Sequence, residues 1–441
     1  MKPAVSRTTE IVYLQLTGDD EGRICRDIPE SACDAQPGNF LRHVLALGAT
    51  KSGDGLADAK LVLAWLLGAL GAPAWMVGFL VPIREAGALL PQLVTAASIR
   101  ALPQRKWAWA IGSLVQGGCV IGMGVAALTL EGAAAGATIL LLLTVMSLAR
   151  SVCSVSYKDV LGKTVSKSTR GTATGTASTL AAVVVFAFGA ALALGVLPLS
   201  ITAIALVLCA AGLLWILAAL VFSTLQEQPG ASGGGANGIA VVIEQFALLG
   251  RDPQLRLFIV VRGLLVATAL APPFLLALGG RSGGGELGEL GMFVVASSLA
   301  AVASTYLWGR LADVSSRRVL VGSGLVASLP LAGACAIGLA APDWLAQPLL
   351  LPLLLFLLMI AYQGVRLGRS THVVDMADAD TRAAYTALSN TLIGLWLLAG
   401  GAFGFVAARF GEAVLLGLFA AMSLLAAGCA LKLAEVQRRE P

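Results

Sequence analysis

Long apolar runs alternate with short clusters of charge along most of this chain. Residues 107–130 carry no charge between Lys106 and Glu131, 290–309 none between Glu289 and Arg310, and 319–342 none between Arg318 and Asp343. The runs 344–365, 383–408 and 413–431 are equally free of charge. The hydrocarbon core of a bilayer is crossed by about 20 residues of apolar helix, so each run predicts one crossing. The uncharged stretch 171–225 is long enough for two, and Pro198 in Gly-Val-Leu-Pro-Leu-Ser marks the hairpin between them. Segments 132–157 and 257–280 each cross with one internal arginine, Arg150 and Arg262.

The beginning reads in two ways. Hydropathy alone selects 61–83 as one helix, which leaves 86–99 too short to cross. A hairpin at Gly71-Ala72-Pro73 instead gives helix 1 at about 44–70 and helix 2 at about 74–99. The second reading yields twelve helices. It also collects Arg100, Arg105, Lys106, Lys163, Lys167, Arg170, Arg251, Arg256, Arg310, Arg317, Arg318, Arg369, Arg382, Lys432, Arg438 and Arg439 on one side, against Glu131, Arg281, Glu286, Glu289, Asp343, Arg409 and Glu412 on the other. That asymmetry places both termini in the cytoplasm. Trp75 and Trp344 then fall at one interface, and Trp107, Trp109 and Trp308 at the other, as an aromatic belt.

Composition agrees. Hydrophobic residues make up 57% of the 441, charged residues only 12%, and mean hydropathy is +0.85. Of the 55 charged side chains, 12 fall in the first 43 residues, which makes the remainder poorer still. Soluble, disordered, collagen-like and disulfide-rich secreted classes are excluded. A net charge of +5 in such a chain sets topology and gives no reason to invoke nucleic acid. Five of the seven cysteines sit in apolar segments as small core residues, and Cys25 and Cys33 match no zinc or redox spacing.

A shift of 212 residues superimposes the boundaries: Arg105-Lys106 on Arg317-Arg318, Glu131 on Asp343, Arg170 on Arg382. Equal spacing of two six-helix halves is the pattern of duplication common among transporters. The reading is an all-α membrane protein of twelve transmembrane helices in two pseudo-symmetric six-helix bundles. Its divisions are a cytoplasmic extension (1–43), a first bundle (44–225), a central cytoplasmic loop (226–255), a second bundle (256–434) and a tail (435–441). Ile239, Val242, Ile243, Phe246 and Leu249 repeat at helical spacing and predict an amphipathic helix on the membrane surface within the loop. Asp252-Pro253 supplies the N-cap and N1 proline of helix 7.

After helix 8 stands Gly309-Arg310-Leu-Ala-Asp313-Val-Ser-Ser316-Arg317-Arg318. It resembles the loop motif of the major facilitator superfamily, G-x-L-a-D-r-x-G-r-r, with Ser316 in place of one glycine. The loop after helix 2 keeps the basic pair Arg105-Lys106 but has Ala101 where the motif has aspartate. Helix 5 lacks the Gly-Pro-rich motif of many antiporters of that family. The resemblance, over about 44–434, implies rocking-bundle alternating access. It also implies a cytoplasmic charge clasp formed by Gly309, Arg310, Asp313, Arg317 and Arg318 with Arg105 and Lys106.

Ionisable residues within crossings are costly and normally face an interior cavity. Helix 1 carries Lys51, Asp54 and Asp58 at i, i+3, i+7. Helix 2 carries Arg84 and Glu85, with Arg84, Gly87, Ala88, Pro91, Thr95 and Ser98 as a small polar stripe. Arg150 shares a stripe with Ser147, Ser154 and Tyr157; Arg262 lies in helix 7, and Tyr362, Gln363 and Arg366 in helix 10. Arginines in a cavity clamp an anion bidentately, and a buried carboxylate such as Glu85 or Asp54 can carry a proton. The alternative for any one of them is a satisfied ion pair that fixes helix packing. Gly118-x-x-x-Gly122 and Gly400-x-x-x-Gly404 read as close helix contacts.

No P-loop is present and no metal or nucleophile constellation, so neither ATP drive nor an enzyme is expected, and no cofactor or metal. The expectation is a secondary-active transporter of a small solute, proton-coupled and leaning to anions, monomeric and multi-pass in a bacterial inner membrane. Its partners are lipid, solute and protons. The second reading is a non-transporting assembly or scaffolding factor of the same fold, for which the acidic extension would serve as a docking segment.

Overall fold

The computed structural model describes residues 7–18, 28, 33–92, 95, 98, 99, 101–230, 246, 248–281, 289–377 and 382–437. Ile239, Val242 and Ile243 of the expected surface helix, Arg100, and the last basic residues Arg438 and Arg439 lie outside them.

The described residues form helices in the order α1 (Arg7–Thr17), α2 (Gln36–Leu56), α3 (Val62–Ala69), α4 (Ala74–Leu89), α5 (Lys106–Thr129), α6 (Gly132–Thr164), α7 (Lys167–Ala193) and α8 (Ile201–Ser223) in the first half. The second half has α9 (Pro253–Leu265), α10 (Ala267–Arg281), α11 (Glu289–Val314), α12 (Ser316–Ala340), α13 (Leu350–Met376), α14 (Arg382–Gly400), α15 (Phe403–Phe410) and α16 (Glu412–Ala430). Among the described residues, ten helices are long and apolar enough to cross a membrane, α9 with α10 and α14 with α15 each counting as one, and all ten lie beyond residue 105. Residues 36–89 form two further rods, α2–α3 and α4, that miss this mark: α2 is polar along much of its length, and α3 and α4 are only 8 and 16 residues long.

Those two rods turn at Gly71, whose φ of +70° favours glycine, and Pro73 opens α4. The first rod differs from the continuous helix expected at 44–70. It starts at Gln36 and breaks between Leu56 and Val62. At the break, Asp58 Oδ1 accepts from the backbone N–H of Lys60 at 2.8 Å and of Leu61 at 3.0 Å, an Asx-type turn that competes with the helix. The extension packs against the first half: Tyr13 of α1 is buried edge-on to Phe40 and shares a cluster with Leu161, Val165 and Ala173.

Within the first half α5 packs on α6 and α8, α2 on α7 and α8, and α4 on α6; in the second, α12 packs on α13 and α16, and α11 on α13. The close face of α5 is Gly117 and Gly124, where a Cβ would come within 2.7 Å of backbone oxygens of α8, whereas one at Gly118 meets nothing within 4 Å. Trp109 and Trp308 are core residues rather than belt residues. Trp109 stacks on Phe222, and Trp308 donates to the Ile360 carbonyl at 2.8 Å.

The halves meet along α7 against α11 and along α4 against α14 and α15. Starts and ends of successive helices define a terminal face, where α2 begins and α16 ends, and an opposite face. Near the opposite face the halves are in tight contact. A Cβ on Gly78 would lie 2.6 Å from the Cα of Gly404, Trp75 stacks on Phe405 at 5.5 Å, and a Cβ on Gly189 would lie 2.8 Å from Val294.

Candidate functional site

Below that seal the halves enclose a cavity of about 450 Å³ lined by Lys51, Asp54, Asp58, Lys60, Arg84, Glu85, Arg150, Ser178, Tyr362, Arg366 and Arg369, among others. Two further recesses share Arg366 with it and continue between α7, α11 and α13 toward Gly309 and Ser370. The cavity therefore opens to the terminal face.

Its first-half wall is an ion-pair network. Asp54 Oδ1 accepts from Arg84 at 2.6 Å and from Arg150 at 2.5 Å, which joins helices α2, α4 and α6 through one carboxylate oxygen. Lys60 Nζ stands 4.0 Å from Glu85 Oε1. Lys51 donates to Ser178 at 2.5 Å. Charge-assisted contacts of this kind stay strong only where water is scarce. The side chains of Asp54 and Arg84 are 19% and 15% exposed, Arg150 32%, so the network lies at the edge of the hydrated space.

The second-half wall is Tyr362, Arg366 and Arg369 on α13. Lys60 reaches across to it, its ammonium 4.6 Å from the Tyr362 ring centroid. Of the sequence candidates, Lys51, Asp54, Arg84, Glu85, Arg150, Tyr362 and Arg366 line this one cavity. Gln363 lines the two neighbouring recesses instead. Arg262 is buried behind the wall, donating to Ser389 and, at 3.2 Å, to Asn390 Oδ1, and it lines a small recess with Glu85, Arg366 and Arg369.

The helix-2 stripe divides. Arg84 and Ala88 face the cavity, but Gly87 packs on Ser147 of α6 and Thr95 lies 3.5 Å from the Ser151 hydroxyl. Ser154 and Tyr157 line an adjoining recess of about 140 Å³ within the first half, which shares Lys51, Asp54 and Arg150 with the cavity.

Three site residues escaped the sequence reading, Ser178, which accepts from Lys51, among them. Lys60 is nine positions from Lys51, half a turn out of phase on a continuous helix of 3.6 residues per turn, and only the break at Asp58 turns it inward. Arg369, read from the sequence as a loop charge, is one turn beyond Arg366 on the same face of α13, and that spacing was visible in the sequence.

The motif residues lie on the terminal face. Arg105 pairs with Asp159 at the end of α6, Lys106 Nζ donates to the Leu225 carbonyl at 2.7 Å, and Arg317 pairs with Glu435 at 3.3 Å, each within its own half. Asp313 and Arg318 are exposed, Arg310 lies over the Tyr306 ring, and Gly309 borders the α11–α13 recess. Glu227, its side chain fully buried, accepts from the N–H groups of Arg105 at 3.1 Å and Lys106 at 2.8 Å, so it caps α5 and fixes the start of the central loop.

No family model matches the sequence, and no curated protein does either. Solved structures match the architecture closely. A mutant of the nucleoside transporter NupG superposes with a TM-score of 0.71 at 14% identity over 89% of this chain and 99% of that one. The chain has the major facilitator fold. The xylose transporter XylE from E. coli, in an inward-open conformation, gives 0.63 at 12% over 89% and 95%. A POT family transporter in complex with 5-aminolevulinic acid gives 0.70 at 11% over 92% and 98%.

Proposed function

We propose that this protein is a secondary-active transporter that moves a small anionic solute across a bacterial inner membrane by alternating access. Residues 36–69 and 74–89 supply the first two of twelve crossings. The terminal face, rich in Lys and Arg, lies in the cytoplasm, and the conformation described opens to that side. The protein acts as a monomer with lipid and solute as partners, without metal or cofactor, and is no enzyme.

The observation that carries the reading is the cavity between the halves, sealed on one face, open on the other, and lined by six basic and three acidic side chains. A scaffolding role gives no reason for such a space at bilayer depth. The solved structures of the same fold named above are those of transporters.

Coupling to protons follows from competition for Lys60. An anion that draws its ammonium away leaves Glu85 without its nearest cation and able to take a proton; Asp54, held by two arginines, is the second candidate. The clasp residues Asp313, Arg317 and Arg318, with Arg105 and Lys106, act when the terminal face closes.

Spin labels test this in nanodiscs, on cysteines replacing Leu102 and Ser315 on the terminal face and Glu131 and Asp343 on the other. Two populations that change reciprocally, shifted between pH 6 and pH 8, are expected. One narrow distance in both pairs at either pH favours the scaffold reading.

A further inference from the structure

Given the transporter reading above, on which this rests, we infer that the solute carries at least two negative charges and that Arg366 and Arg369 are its principal anchor. The cavity charges are unevenly divided. All three carboxylates belong to the first half, and each is engaged there: Asp54 by Arg84 and Arg150, Glu85 by Lys60, Asp58 by the backbone of the helix break. The second half contributes arginines and no carboxylate to the same lining.

Arg366 and Arg369 sit three residues apart on one face of α13, so their Cβ atoms are about 5–6 Å apart. Neither forms an ion pair among the described residues; Arg366 leans over the Tyr362 ring, its guanidinium carbon 5.9 Å from the centroid. Behind them Arg262 is 94% buried, with Nη1 and Nη2 on Ser389 and Asn390 and its Nε without a partner. Three like charges thus face the recess that joins the cavity, opposed only by Glu85.

Water in the open cavity screens this excess. Closure removes that water, and an arginine cannot shed its charge by deprotonation. Uncompensated guanidinium groups in a closed interior cost several kcal/mol each, so the halves can close over the pair only with a counter-charge between them. A monoanion neutralises one of the two. A phosphate monoester or a dicarboxylate neutralises both, and the planar forks of two arginines match either. A cavity of about 450 Å³ suits a small molecule.

The experiment is thermal unfolding of the purified full chain in detergent with inorganic phosphate, succinate, acetate or glucose at pH 8. Phosphate or succinate should raise the midpoint, and acetate and glucose should not. Arg366→Gln and Arg369→Gln should each weaken the effective dianion about tenfold to a hundredfold. Arg369→Lys should recover part of the loss, and Arg409→Gln, exposed on the opposite face, none should be lost. Response to phosphate alone assigns a phosphate head, to succinate alone a dicarboxylate. Acetate acting as strongly as the dianions, a dianion effect that survives both Gln variants, or silence from all four probes overturns the inference. Reciprocal spin-label distances would still uphold alternating access in those cases. Stabilisation by glucose alone would also remove the anion from the proposed function.

Discussion

Lys60 holds its ammonium 4.6 Å from the centroid of the Tyr362 ring, and this contact ties the break in the first rod to the opposite half. A cation over an aromatic face contributes about 0.5–1 kcal/mol at a partly hydrated site. It is therefore large enough to bias a conformational equilibrium without locking it.

Lys60→Gln removes that contact and the nearest cation to Glu85. The terminal-open population should fall about two- to fivefold relative to the alternative, read from the spin-label pair at Leu102 and Ser315. Lys60→Arg should keep most of it. An unchanged ratio in the Gln variant would show that the bridge has no part in the balance between states.

Asp54 joins two guanidinium groups through one oxygen, so its loss leaves two cations side by side. Asp54→Asn should destabilise the protein by about 2–4 kcal/mol, toward the lower end for broken buried pairs because Arg150 is 32% exposed. Adding Arg150→Gln should restore part of the stability. Chemical unfolding of the single and double variants measures both.

The seal on the opposite face depends on two glycines in backbone contact. A Cβ at Gly404 would approach the Trp75 carbonyl oxygen to 2.6 Å. Gly404→Val should wedge the halves apart there, lengthening the distance between labels at Glu131 and Asp343 and shortening that of the terminal pair at Leu102 and Ser315. Solvent access to a cysteine replacing Val81 should rise in parallel.

Asp313 is exposed in this terminal-open conformation and Arg317 is engaged by Glu435. Asp313→Asn should therefore leave the unfolding midpoint unchanged and lower the population open on the opposite face, where the clasp is needed. Normal interconversion in that variant removes the clasp assignment.

The helices from residue 106 onward were legible because uncharged runs bounded by charge leave few alternatives in a bilayer. The first rod was not, for a physical reason. Its break comes from a side chain, Asp58, capping its own backbone, and hydropathy is blind to that competition. The cavity residues Asp54, Arg84, Glu85, Arg150 and Arg366 could be found because a charge in a crossing has few places to go. Lys60 depended on the break, and the distinction between Gly117 and Gly118 on α5 depended on helix rotation, which no periodicity in so apolar a segment fixes. Trp109 and Trp308 misled for the opposite reason: their depth along the helix fits an interfacial belt, but their rings turn inward.

The order in which the chain is made has a bearing on residues 36–89. They are made before the ten long apolar helices, yet among the described residues neither rod contains a helix that matches those ten in length and apolarity. Asp54 meets Arg84 thirty residues later but reaches its second partner, Arg150, only after α6 exists, and Lys60 finds Tyr362 only when α13 is in place. The first rod therefore gains its full set of partners only from helices made later in the chain, one of them in the second half.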